Sequence, residues 1–216
     1  MSYERVLERL SAAARRAGRS PEEITLVVVT KNQPLEAIQT VYTKGARHFG
    51  ENRVQELLRK KPLLPADIQW HLIGHLQTNK VKAILPHIVL LHSLDREGLL
   101  EEIAKRAVAP VPCLIEVKIA QEPTKHGILP EAVLPFAEKV LAEPNVQLRG
   151  LMGMASFTSD QAQIRREFRL LYRLFEALRR LHPAADTLSM GMSQDFEIAI
   201  EEGSTLVRVG TAVFEP

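Results

Sequence analysis

The chain has a single cysteine, Cys113, so no disulfide can form within it. That cysteine lies in an apolar run and reads as a small core residue rather than a nucleophile. Neither sign of charge dominates: 28 basic and 26 acidic residues leave a net +2. Charge alone therefore predicts no large nucleic-acid footprint. No apolar run approaches the length of a membrane span, and the charged N-terminus has no apolar core of a signal peptide. A soluble, cytoplasmic protein is expected. A Gly-rich dinucleotide fingerprint is also missing, which argues against an open doubly wound sheet. The one strongly basic stretch carries Arg165, Arg166, Arg169, Arg173, Arg179 and Arg180. Leu170, Leu171, Leu174, Phe175 and Leu178 share it, so it reads as an amphipathic helix with a solvated arginine face.

What is present is a regular alternation. A helix over 2–18 has Val6, Leu7, Leu10 and Ala14 facing inward and stops near Gly18. Strands follow over 24–29, 47–49, 68–73, 88–91, 112–119, 146–151, 187–189 and 206–209, each separated from the next by a helix. The first, Ile24 to Val29, is apolar throughout, as in a parallel sheet covered on both faces. Eight strand and helix units behind one extra helix predict a single-domain (β/α)8 TIM barrel over 1–216.

In such a barrel the working groups sit at the carboxyl ends of the strands. Lys31, Asn52, His75, Met152, Ser193, Arg208 and Gly210 fall at or near those ends. Lys31 follows the first strand on the face of Val27 and Val29. Ser193 precedes Gln194, Asp195 and Glu197 and reads as the start of a helix, whose amides suit a phosphate. Gly210 and Thr211 end the eighth strand in small residues with free amides. Arg208, on a strand among apolar neighbours, must either pair with a core carboxylate or point at a ligand. Asn52 could serve simply as a helix cap. Closing the barrel places strand one beside strand eight, hence Lys31 beside Arg208 and Thr211.

Other polar groups are read conservatively. His71 and His75 lack a neighbouring cysteine or carboxylate to complete a set, so no metal site is expected. Glu116 and Lys118 share a strand face and are expected to pair. The loop Lys125-His126-Gly127 could touch a ligand, solvent exposure being its commoner fate.

Six blocks carry a family resemblance: Val28-Val29-Thr30-Lys31, Phe49-Gly50-Glu51-Asn52-Arg53-Val54-Gln55-Glu56, Trp70-His71-Leu72-Ile73-Gly74-His75-Leu76-Gln77-Thr78-Asn79-Lys80, Arg149-Gly150-Leu151-Met152, Leu188-Ser189-Met190-Gly191-Met192-Ser193 and Val207-Arg208-Val209-Gly210-Thr211-Ala212-Val213-Phe214. In order and over nearly the whole chain, they resemble the pyridoxal phosphate homeostasis proteins (YggS/PROSC type), relatives of the N-terminal domain of alanine racemase. The resemblance implies a barrel that binds pyridoxal 5′-phosphate (PLP), with Lys31 forming the internal aldimine. It implies that Ser193 and the Gly210 and Thr211 amides hold the phosphate, with Gly191 and Met192 lining that side. Arg208 would face the pyridine nitrogen, and Asn52 would sit by the ring.

Opposite that arginine, the resemblance implies, the nitrogen would stay unprotonated, and a neutral ring is a weak electron sink. Racemase chemistry would also need a second acid/base across the substrate, which in alanine racemase is a tyrosine from another subunit. Tyr3, Tyr42 and Tyr172 each fall on an expected helix, and none is marked by the pattern as a mouth residue. A monomeric PLP carrier that supplies apoenzymes, without robust catalysis of its own, is therefore expected. The alternatives are a monomeric amino-acid racemase using the same lysine and, more remotely, a sugar-phosphate barrel enzyme without PLP.

Overall fold

The computed structural model describes residues 2–123 and 126–214. Among these the helices are α1 (Tyr3–Arg16), α2 (Leu35–Thr43), α3 (Val54–Lys60), α4 (Val81–Ile84), α5 (Glu97–Arg106), α6 (Val133–Leu141), α7 (Gln161–Leu181), α8 (Phe196–Glu201) and α9 (Thr211–Phe214). The strands are β1 (Thr25–Val29), β2 (His48–Glu51), β3 (Gln69–Leu72), β4 (Leu90–Leu94), β5 (Val111–Val117), β6 (Val146–Gly153), β7 (Thr187–Ser189) and β8 (Leu206–Val209). They form a closed parallel barrel in sequence order. β1 pairs with β2 on one side and with β8 on the other, Val27 opposite Arg208 and Val28 opposite Val209. The closure expected from strand count is thus observed.

Strand alternation sorts the side chains into two cores. Val27, Leu90, Leu114, Met152 and Leu206 pack together inside the barrel. Val28, Phe49, Leu72, Cys113, Ile115, Val117 and Val207 pack outward against the helices. Cys113 is fully buried there, and burial pushes its thiol well above the ordinary range, as befits a core residue. Met152 belongs to the barrel interior and not to the mouth: β6 runs on to Gly153, so the strand end lies further along than the residue pattern indicated.

Helix α1 buries Val6, Leu10, Ala13 and Ala14. Leu7, expected inward, is 37% exposed, because the buried positions advance by four, three and one residues and leave Leu7 off the stripe. In α7 the arginine face is not purely solvated. Arg165 bonds Glu201 and Glu202, and Arg169 bonds Glu202 at 2.7 Å, tying α7 to the end of α8. Among the described residues no helix is long and apolar enough to cross a membrane.

Candidate functional site

Two of the hollows among the described residues at the carboxyl ends of the strands hold the expected site residues. The first, about 340 Å³, is lined by Val29 from β1, Met192, Ser193, Gln194 and Asp195 after β7, Arg208 on β8, and Gly210 and Thr211 beyond it. Ala155, Ser156, Phe157, Thr158 and Ile164 form its far wall. The second, about 510 Å³, is lined by Lys31, Asn32, Glu51, Asn52, Arg53, Glu56, Gly74 and His75. The structure therefore gathers Met192, Ser193, Arg208, Gly210 and Thr211 in one place and Lys31 with Asn52 in the other. Lys31 is exposed, in a turn just past β1, followed by Asn32 in the left-handed conformation (φ 60°). The link between the hollows is Val29, which lines the first and stands two residues before Lys31.

Arg208 is 3% exposed. Its guanidinium donates to Ser189 Oγ through Nη1 and to the Gly153 carbonyl through Nη2 (3.2 Å). Burial pulls its pKa down to about 10 while Asp195 and Glu116 favour the charge. Of the two fates open to Arg208, a core ion pair and a ligand, neither alone describes it: two neutral acceptors hold it, carboxylates face it, and it still lines the hollow.

Ser193 does not start a helix. α8 begins at Phe196 with Asp195 at the capping position, and Asp195 Oδ1 accepts from Met192 N at 2.6 Å. The Ser193 hydroxyl turns instead toward β8, accepting from the amides of Gly210 and Ala212 at 3.3 Å each. Gly191 stands behind the wall: its φ of 101° is a left-handed value, and an added Cβ would lie 2.6 Å from that of Ala199. Asn52 is not a cap either, since α3 begins at Val54 without a side-chain cap. It lines the hollow, and its carbonyl lies so close to Gly74 that a Cβ there would collide with it.

One feature was missed in sequence and two were misjudged. The first is a buried ion pair beneath Lys31: Lys60 Nζ meets Glu51 Oε1 at 2.5 Å and the Thr30 carbonyl at 2.8 Å, and Thr30 Oγ1 donates to the same carboxylate at 2.6 Å. Val54, Leu57 and Lys60 are the buried positions of α3, so a lysine at core spacing was the available signal. The second is Glu116. It does not pair with Lys118, which lies past the end of β5 and reaches the Pro123 carbonyl at 3.4 Å. Burial, and then repulsion from Asp95, push the Glu116 carboxyl up to about 7, offset in part by Arg208. The third is the company of His75. Asp95 Oδ2 lies 3.3 Å from its Nδ1, the His126 ring stacks on it at 4.6 Å, and donor atoms of all three lie within 4.8 Å of one another. The expectation that no carboxylate stands near His75 is thereby overturned, because Asp95, the residue just past β4, reaches it from 20 residues away. Arg96 holds the other Asp95 oxygen at 2.6 Å. Lys125 lies outside the described residues.

Residues 2–215 match the family model described as "Alanine racemase, N-terminal domain". The chain is 46% identical over 215 residues to the pyridoxal phosphate homeostasis protein of Aquifex aeolicus, covering 97% of this chain and 94% of that one. It superposes with a TM-score of 0.94 on an unknown protein from Bifidobacterium adolescentis, at 35% identity over 98% of this chain and 92% of the other. PipY of Synechococcus elongatus, in a structure with PLP bound, matches with a TM-score of 0.83 and 34% identity over 97% and 99% of the two chains.

Proposed function

The chain belongs to the pyridoxal phosphate homeostasis proteins of the alanine racemase N-terminal domain family, and on that premise we propose that it is a PLP carrier. It would bind PLP reversibly as an imine on Lys31 and hand it to apoenzymes, acting as a cytoplasmic monomer without robust catalysis of its own. The observation that carries the reading is Arg208, a buried guanidinium at a hollow whose rim is made of Ser193, Gly210 and Thr211.

The residues fit the ligand's chemistry. A phosphate would displace the long 3.3 Å contacts around Ser193 and take the amides directly, with the hydroxyl as a further donor. Arg208 can only donate, so a pyridine nitrogen facing it accepts and stays unprotonated. The bound group supplies an electrophilic aldehyde and, with a neutral ring, little carbanion stabilisation. Lys31 stands on the stretch leaving β1, where its long flexible stem can serve the hollow that Val29 shares with Arg208. Asn52, on the lysine's side, would sit by the ring.

PLP-loaded protein is expected to show an imine absorbance band that borohydride reduces, and Lys31→Ala is expected to abolish the band. A band that survives in Lys31→Ala would place the linkage elsewhere and sink the assignment.

His75 supports a second reading. It lines the same hollow as Lys31 and is oriented by Asp95, so it could act as the second acid/base that racemisation requires. Deuterium entering the α-carbon of L-alanine in heavy water, with loss of chirality, would favour the racemase. Its absence alongside transfer of PLP to an apoenzyme would favour the carrier.

A further inference from the structure

Three imidazoles stand in a row across the inside of the barrel. His48, His71 and His92 lie on consecutive strands β2, β3 and β4. His48 Nδ1 is 3.0 Å from His71 Nε2, and His71 Nδ1 is 2.9 Å from His92 Nε2. His92 Nδ1 is 2.9 Å from Ser189 Oγ, which receives the Arg208 guanidinium on its other side. His71, His92 and Ser189 are buried, while His48 is half-buried. His48 lines a different hollow, about 360 Å³, beneath α1 at the amino ends of β1 and β2, where Thr25, Leu26 and Arg47 also lie. The row therefore runs from Arg208 at the mouth to the opposite face.

One end of the row dictates its direction. A guanidinium has no acceptor, so Ser189 accepts from Arg208 and donates its own proton to His92 Nδ1. His92 must then carry hydrogen on Nε2 and donate to His71 Nδ1. His71 does the same toward His48. Each ring is thereby set to the Nε2–H tautomer, an assignment that follows from the network. Burial holds His71 at about 3 and His92 well below its ordinary value, and it lowers His48 in the same direction, so the rings are neutral near neutral pH. The charged neighbours are few: Asp195 and Glu116 face Arg208, His48 acts on His71, and His71 and Arg208 act on His92.

We propose that this row is a proton path joining Arg208 to solvent through the floor of the barrel. An Arg208 Nη1–H bond breaks as a new Ser189 O–H bond forms, and the serine's original proton passes to His92 Nδ1. The Nε2 proton of His92 passes to His71 Nδ1, that of His71 to His48 Nδ1, and His48 Nε2 releases one to water. One proton leaves the guanidinium and one appears at the floor. Each imidazole stays neutral and changes tautomer, and the reverse sequence restores the start. Such a path gives the buried guanidinium a second connection to solvent, through the floor of the barrel as well as through the hollow it lines. It rests on the placement of Arg208, Ser189 and the three histidines, and stands or falls independently of what occupies the hollow.

The test uses ligand-free, isotope-labelled full-length protein. Side-chain nitrogen NMR near neutral pH is expected to show Nε2–H and an unprotonated Nδ1 on all three rings. A proton on Nδ1, or an imidazolium, at any of the three overturns the path. Exchange of the Arg208 guanidinium protons into heavy water is then compared across variants. In His71→Gln the amide keeps a donor and an acceptor in the row but cannot pass a proton, so exchange through the floor is expected to be lost and the overall rate to fall. His48→Gln, at the half-buried end where folding is least at risk, should give the same slowing. Unchanged exchange in a folded His48→Gln protein would reduce the row to packing.

Discussion

Replacing Lys60 with methionine is expected to cost about 3–5 kcal/mol of stability, the price of leaving a buried carboxylate without its cation. In a chain of this size that lowers the thermal midpoint by on the order of 10 °C. Lys60 and Glu51 have side chains 1% exposed, and the ammonium bonds both the Glu51 carboxylate and the Thr30 carbonyl. Methionine fills much of the space but brings no charge, and the remaining contacts of Glu51 cannot replace it. Thr30 immediately precedes Lys31, so the loss should also loosen the turn that holds the proposed PLP lysine. Circular dichroism melts and urea titrations check the first expectation, and PLP titration checks the second. Adding Glu51→Gln to Lys60→Met should recover much of the loss, because the neutral amide removes the stranded charge. An unaltered midpoint in Lys60→Met alone would show that the carboxylate does not depend on this ammonium.

Acidification is the second strong perturbation. His71, at about 3, and His92, well below 6.5, stay neutral in the folded barrel, whereas an unfolded chain protonates both near 6.5. Unfolding therefore takes up protons as pH falls, and stability drops at roughly 1.4 kcal/mol per pH unit for each proton taken up. Glu116 works in the opposite sense. Its folded value of about 7 exceeds the ordinary 4.5, so between these values the native state holds a proton that the unfolded chain has released. In that window two deeply buried histidines take up two protons against one released, and His48 adds to the uptake. The net loss from pH 6.5 to 4.5 is then about 3 kcal/mol, steepening below 4.5 once the opposition of Glu116 ends. Urea unfolding across this range should show that break in slope. His71→Phe should make the curve shallower by about one proton, and Glu116→Gln should steepen it between 4.5 and 7. A flat profile would mean that the histidine row is already hydrated or charged in the native state.

The outline of the fold was legible because each unit declares itself locally. Continuous apolar runs mark strands covered on both faces, as in Ile24 to Val29, and the three-and-four spacing marks helices such as Gln161–Leu181. Counting eight such units was enough to anticipate closure between β1 and β8. The mistakes lie where one residue's role depends on a partner far along the chain. Ser193 has the local look of a cap, yet its hydroxyl answers amides 17 and 19 residues away. Glu116 shares a face with Lys118, but the charges that act on it are those of Asp95 and Arg208.

By itself the sequence determined the barrel, the rim positions of Lys31, Asn52, Ser193, Arg208 and Gly210, and the kinship that points to PLP. These follow from periodicity and from blocks of neighbouring residues, which local geometry is enough to express. Only the tertiary structure decided that Arg208 is held by Ser189 and Gly153, that Lys60 lies buried on Glu51, and that three histidines from separate strands touch in a line. The reason is that a closed parallel barrel brings inward-facing side chains from residues tens of positions apart into contact. No spacing along a single strand records which of them will meet.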